Sequence, residues 1–543
     1  MILPSPELPQ QSPACLVLPP AAMYSGIDPG FATPHIEEPS VECTAQPYGS
    51  MRCWGVDNGS EDLDIGKNDD ENALSEDPAA VPGGQVFPFE IGLDERDTHH
   101  FLSLGRRSSA PYYSEPVHVV IPSSLGQLPA KLLQNKMNLL YFHHFLDHTA
   151  RVLVPHDDPN SNPFRTVLPR MALENDSLLN LLLAYSAAHR ARHLGQPEPK
   201  TRIAMFVEDI IPGLRQMVDS VVKNPDIIIS TADLATAIML ASFEIISPAS
   251  LGRVNSQTSM PRVSIPWQGH LCLAREIIAH RPGGLRRSWC DSQEDQACAF
   301  LWSWFAYLDV LGSLSGGRGQ NCCGAVSCNH RVIDYTNVEG GIDGSDDADQ
   351  IDCIMGFTPR CVGILAKVAK LARTCDSSRI DPQTLTIRSD WIPDAHTVTE
   401  AMELQAAIQS SLAIPSRPCG HVHATSDVVR WDREQMAATN EAYHWAALIH
   451  LHRRVLGRPS DHNDVRGPVE RILECLENIQ HGSTAETCLL FPMFTAGCEI
   501  TGAGAREMIL QRVKTVEKSG MMQVSSYFLV PTTQGPQRNS NQR

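Results

Sequence analysis

The chain has 543 residues, 42% hydrophobic and 20% charged, and a net charge of −18. That is enough length for several ordinary domains or one large one. No uninterrupted apolar run reaches the ~18–20 residues of a membrane span, and the proline-broken start MILPSPELPQQSPACLVLPP lacks the basic segment of a signal peptide, so a cytosolic or nuclear protein is expected.

Residues 1–128 read as a disordered tail. Prolines crowd them, and residues 61–80 carry Glu61, Asp62, Asp64, Asp69, Asp70, Glu71, Glu76 and Asp77 against Lys67 alone, a net of −7. A polar stretch of like charges buries too little apolar surface to offset the entropy of ordering. A solvated linker is the plain reading; Leu63, Ile65 and Leu74 among the acids also suit an activating or docking tail.

From residue 129 the pattern turns helical. KLLQNKMNLLYFHHFLDHTARVLV sets Leu132, Leu139, Phe142, Leu146 and Leu153 on one helix face. Asn175-Asp176 caps SLLNLLLAYSAAHRARHL and Gly195 stops it, with Arg190 and Arg192 at the negative end of the helix dipole. Ser230 or Thr231 caps ADLATAIMLASFEIIS, which Pro248 ends. Leu234, Ala235, Ile238, Met239, Ala241, Ile245 and Ile246 run all round this helix, which places it inside the fold. Further helices are expected at 267–280, 292–314, 361–374, 395–413, 432–457, 464–480, 484–498 and 503–520, with Tyr443, Ala447, Leu451 and Val455 as a buried stripe.

Residues 332–352 hold seven acids and no base, again −7, and read as an acidic disordered loop inside a helical domain spanning 129–524. Residues 525–543 read as a disordered C-terminal tail. Strand signals such as VHVVIP (117–122) are isolated, and no fixed-period repeat appears. The fold class is all-α: one large multi-helix domain behind a disordered N-terminal region.

The 16 cysteines include no C-x-x-C pair; Cys322, Cys323 and Cys328 come nearest and lack a matching second half. Cys272, Cys298, Cys361, Cys475, Cys488 and Cys498 sit in apolar helical patterns and read as reduced, buried thiols. Gly312-Ser313-Leu314-Ser315-Gly316 places leucine where a nucleophile elbow needs serine. Gly502-Ala503-Gly504 meets Glu507 where a dinucleotide loop needs its third glycine, and Gly316-Gly317-Arg318-Gly319 lacks the lysine of a phosphate loop. No catalytic residues emerge.

His144 with His148, and His189 with His193, lie four apart on helices. Two such pairs could build a metal site, but no H-E-x-x-H order is present, so a structural role is favoured, with imidazoles donating to carbonyls or pairing with Asp147. Trp302, Trp304, Phe305 and Tyr307 read as core residues. No metal or cofactor ligands are assigned, and the basic pairs Arg286-Arg287 and Arg453-Arg454 are too short for a DNA-binding patch on so acidic a chain.

Many blocks nevertheless keep a recognisable order. They include NLLYFHHFLDHTARVLVPHDDPN (138–160), MALENDSLLNLLLAYSAAHRAR (171–192), DLATAIMLASFEIISP (233–248), IPWQGHLCLARE (265–276), WFAYLDVLGSLSGG (304–317), IDCIMGFTPRC (351–361), NEAYHWAALIHLHRRVL (440–456) and GSTAETCLLFPMFTAGCE (482–499). Over about 137–524 the chain resembles the fungal-specific regulatory domain that follows binuclear zinc-cluster DNA-binding modules. The resemblance implies an all-helical, non-enzymatic regulator of RNA polymerase II genes, located in the nucleus and shuttling with the cytoplasm. Its implied partners are other regulators or co-regulators, or a second chain in a homo- or heterodimer, with no membrane association.

The sequence departs from that family in two places. The zinc cluster's six cysteines are not matched, since Cys15, Cys43 and Cys53 lie far apart and Arg52, Lys67 and Arg96 are the only bases in the first hundred residues. Zinc is therefore expected only with a cluster outside this sequence, and DNA contact only indirectly or through such a module. After Met521-Met522-Gln523-Val524 the chain turns to the polar SSYFLVPTTQGPQRNSNQR. The alternative reading is a helical effector-binding or scaffold protein that modulates a regulator without acting at promoters.

Overall fold

The computed structural model describes residues 121–521 apart from 225–226, 247–266, 282–283, 286–291, 316–345, 382–386, 389, 419–426 and 501. Of the described residues 74% are helical and none lies in a strand, as an all-α chain requires. Two isolated bridges, Gln350 to Arg417 and Ile380 to Ile387, only tie loops. Of the disorder expected for 1–128 and 525–543, residues 1–120 and 525–543 lie outside the described part. The packed unit begins before residue 129, because Leu125, in the short turn Ser123–Leu125, is buried in the core.

The helix expected through 131–154 is broken into pieces. Ala130–Leu133 stops at Gln134, and Asn135 starts α1 (Lys136–His144) by accepting from the Met137 and Asn138 amides. Asparagine competes for backbone donors in this way and so favours a cap over a helix interior. A π-turn, Phe145–Thr149, and the short Ala150–Val152 follow.

The next helices follow caps and turns in the sequence. Asn175 caps α2 (Asp176–His193) by accepting from the Leu178 amide, and Gly195 ends it at φ 65°. Then come α3 (Lys200–Val207) and α4 (Ile210–Lys223), which buries Ile210, Leu214, Val218 and Val221 at one-turn spacing. Ser230 and Asp233 exchange side-chain and backbone hydrogen bonds at the start of α5 (Thr231–Ile246), a reciprocal capping box. Leu234, Ala235, Ile238, Met239 and Ala241 are fully buried on it, as its all-round apolar pattern demands.

The later helices are α6 (Trp267–His280), α7 (Gln293–Leu314), α8 (Pro359–Arg379), α9 (Ala395–Ala413), α10 (Asp427–His450) with its π-turn Leu451–Val455, and α11 (Asn463–Glu477). The helix expected at 484–498 is two pieces, Thr484–Thr487 and α12 (Leu490–Glu499). Pro492 explains the break: it has no N–H for the carbonyl of Cys488, and its ring would clash there in a continuous helix. The last helix is α13 (Ala503–Lys518).

α7 is long and apolar enough to cross a membrane, where the sequence showed no span, yet 78% of that stretch is buried inside the fold, as in a core helix. The C-terminal part of the acidic loop is likewise docked. Asp346–Asp349 forms a 3-10 turn, and buried Asp352 accepts from the Ser303 hydroxyl and the Ile354 and Met355 amides. Satisfied hydrogen bonds outweigh local charge repulsion there.

Two apolar cores share α10 as a wall. The larger collects side chains from α1 to α10, including the stripe Tyr443, Ala447, Leu451 and Val455. Ala442, Ala446 and Ile449 look the other way, into a smaller core with α11, α12 and α13. The cores are also joined where Thr487 donates to the Val152 carbonyl and Thr484 to that of Pro155.

Candidate functional site

The two histidine pairs, 45 residues apart in sequence, meet. His144 Nε2 lies 3.1 Å from His189 Nδ1. Ring centroids stand 4.9 Å apart for His144 and His148, 5.8 Å for His148 and His193, and 6.0 Å for His189 and His193. α2 supplies one pair; the end of α1 and its π-turn supply the other. π-turns recur where a helix must re-aim side chains.

The protonation pattern follows from the partners. His189 Nε2 is 2.8 Å from the Ser519 carbonyl, which can only accept, so Nε2 carries the hydrogen. Nδ1 is then an acceptor for the Thr149 hydroxyl at 3.0 Å and for His144 Nε2–H. Burial, reinforced by the other imidazoles and neighbouring arginines, pushes His144 and His148 well below the usual histidine range and His189 down to about 3; burial also lowers His193. All four are neutral near pH 7. The imidazole-to-carbonyl bond expected from the sequence is present at His189. Among the described residues no group of three or more His, Cys, Asp or Glu side chains is arranged to hold a metal ion.

The other candidates are structural where they can be seen. Trp302, Trp304 and Phe305 are buried in the larger core, and Tyr307 packs beside Phe357. Leu314 is buried, and Gly502 merely precedes α13. Cys272, Cys361, Cys475 and Cys488 are buried as expected, while Cys298 and Cys498 are half-buried. Burial pushes Cys475 and Cys488 up to about 12 and Cys361 well above its ordinary value, so these thiols are protonated and unreactive. Cys322, Cys323, Cys328, Arg286-Arg287 and Gly316 to Gly319 lie outside the described residues.

The Arg453-Arg454 pair is neutralised internally. Arg453 pairs with Glu499 at 2.8 Å, and Arg454 bonds Asp376 at 2.5 Å and the Leu314 carbonyl at 2.7 Å. Neither guanidinium is set up to meet a phosphate. Sequence reasoning missed Arg512, which is buried against Glu486 at 2.9 Å and donates to the carbonyls of Leu476 and Ile479.

What decides the family is the match of residues 140–527 to the fungal specific transcription factor domain. The chain belongs to that family. The fungal specific transcription factor domain thus covers most of both cores and runs through α13, so the helical unit is the family's regulatory domain and the chain has a fungal transcription-regulator role. The family is non-enzymatic in general. No curated protein and no solved structure matches the chain.

Proposed function

We propose that the chain is a nuclear regulator of RNA polymerase II genes whose helical unit works through other regulators or co-regulators, or through a second copy, with DNA read by another module or chain. The family match over 140–527 carries this reading. The inward engagement of Arg453 and Arg454 supports the last part, because affinity for DNA rests on cations free to displace phosphate counterions. The cysteines present do not fit a binuclear zinc cluster, which needs six in two close groups, so no step is assigned to zinc.

The purified chain is expected to bind no DNA duplex specifically with steep salt dependence. A tight, sequence-specific complex would overturn that part of the proposal. A scaffold that never acts at promoters would leave a reporter unchanged when fused to a foreign DNA-binding domain, whereas a regulator changes its output.

A further inference from the structure

The histidine cluster stands where the two cores are fastened together. α13 belongs to the smaller core, yet the residues just after it cross to α2 in the larger one. His189 donates to the Ser519 carbonyl at 2.8 Å, and Arg192 Nε donates to the Gly520 carbonyl at 2.9 Å. Gly520 sits so close on His189 that a Cβ there would lie 2.7 Å from the ring. Met521 then packs against both cores. Four imidazoles on two helices therefore back the contact that holds the C-terminal end of α13.

We propose that His144, His148, His189 and His193 form a proton-operated latch, closed at neutral pH and released when the cluster takes up protons. The closed geometry suits neutral rings. His189 uses one nitrogen to donate to Ser519 and the other to accept from His144 and Thr149, so a second proton on it removes an acceptor and sets two donors face to face.

The surroundings add little negative charge to compensate. His143 lies on α1 and Arg151 just after the π-turn; Arg190 and Arg192 lie on α2, and Lys518 ends α13. Glu198 is engaged by Arg192, and Asp147 interacts with Arg165. Several positive charges would thus share one buried pocket, while an opened latch exposes the imidazoles to water, where they titrate near 6.5.

An imidazole that stays neutral when closed and is unperturbed when open favours opening about tenfold more at pH 5.5 than at pH 7.5. Four such groups together give at most about 10⁴-fold. Hydrogen exchange of the full chain reads this directly, corrected for the intrinsic pH dependence of exchange. Protection of 503–521 should fall by up to that factor between pH 7.5 and 5.5, while α5 keeps its protection. In the double variant H148Q/H193Q, which removes the two half-buried members, the fall should shrink to about 100-fold at most.

An unchanged response in the double variant, or equal loss of protection in α5, overturns the latch. The native chain is decisive alone if that variant does not fold, because a fall below about tenfold is the response of one imidazole at most. Stabilisation by added Zn²⁺ at pH 7.5 that the double variant lacks would assign the cluster to a metal and also overturn it.

Discussion

His450 lies in the interior of the smaller core's wall, its Nε2 3.2 Å from the Thr495 hydroxyl and its ring stacked on Phe491. Burial, with the Arg454 guanidinium adding repulsion, lowers it to about 3. In the unfolded chain such a ring titrates near 6.5, so its stabilisation is complete above that pH. As pH falls below 6.5 the unfolded chain takes up a proton that the folded chain refuses until about 3. The cost is about 1.4 kcal/mol per pH unit, so His450→Gln should flatten the loss of urea stability between pH 6.5 and 5 by about 2 kcal/mol.

Two other residues carry large, separate effects. Arg512 and Glu486 form a buried pair whose carboxylate also accepts from the Gly482 amide. Arg512→Met strands that carboxylate and should cost about 3–5 kcal/mol in urea unfolding, with much of the loss recovered in R512M/E486Q. Gly520 combines φ 92° with the 2.7 Å approach to His189, so Gly520→Ala should cost about 2–4 kcal/mol by the same measurement.

At the scale of elements, caps and periodic faces were legible because they are local. Asn175 and Ser230 cap where the sequence put them; α6 and α9 keep their expected bounds, and α7 differs from its expectation by one residue. Asp394 caps α9 by accepting from the Thr397 amide at 2.7 Å, so Asp394→Ala should lower stability by about 1 kcal/mol in urea unfolding.

Expectation and structure part where a local signal is outvoted. α3 and α4 have no counterpart among the expected helices; Pro199 precedes α3, and Pro212 falls in the first turn of α4, whose N–H groups need no helical partner. The π-turn at Phe145–Thr149 has no sequence signature, and it divides a run whose leucine spacing alone suggests one helix. Asp352 looked like part of a solvated acidic run, and only the distant Ser303 reveals its docking.

At the scale of the molecule, α10 does for the two cores what a shared wall does, with opposite faces of one helix buried on opposite sides. The four histidines belong to this scale as well. Each pair was visible as an i,i+4 spacing, but their meeting depends on how α1 and α2 pack and rotate, which spacing does not encode. The family was legible for the opposite reason, since the resemblance rests on the order of many blocks along about 137–524 rather than on any one contact, and the family match covers 140–527.

The central claim is that this helical unit regulates transcription through partners. Its most direct test is a reporter carrying sites for a foreign DNA-binding domain, with that domain fused to the full chain or expressed alone at equal level. Output that moves several-fold up or down with the fusion is the predicted result. Output indistinguishable from the DNA-binding domain alone, with the fusion folded and in the nucleus, would contradict it.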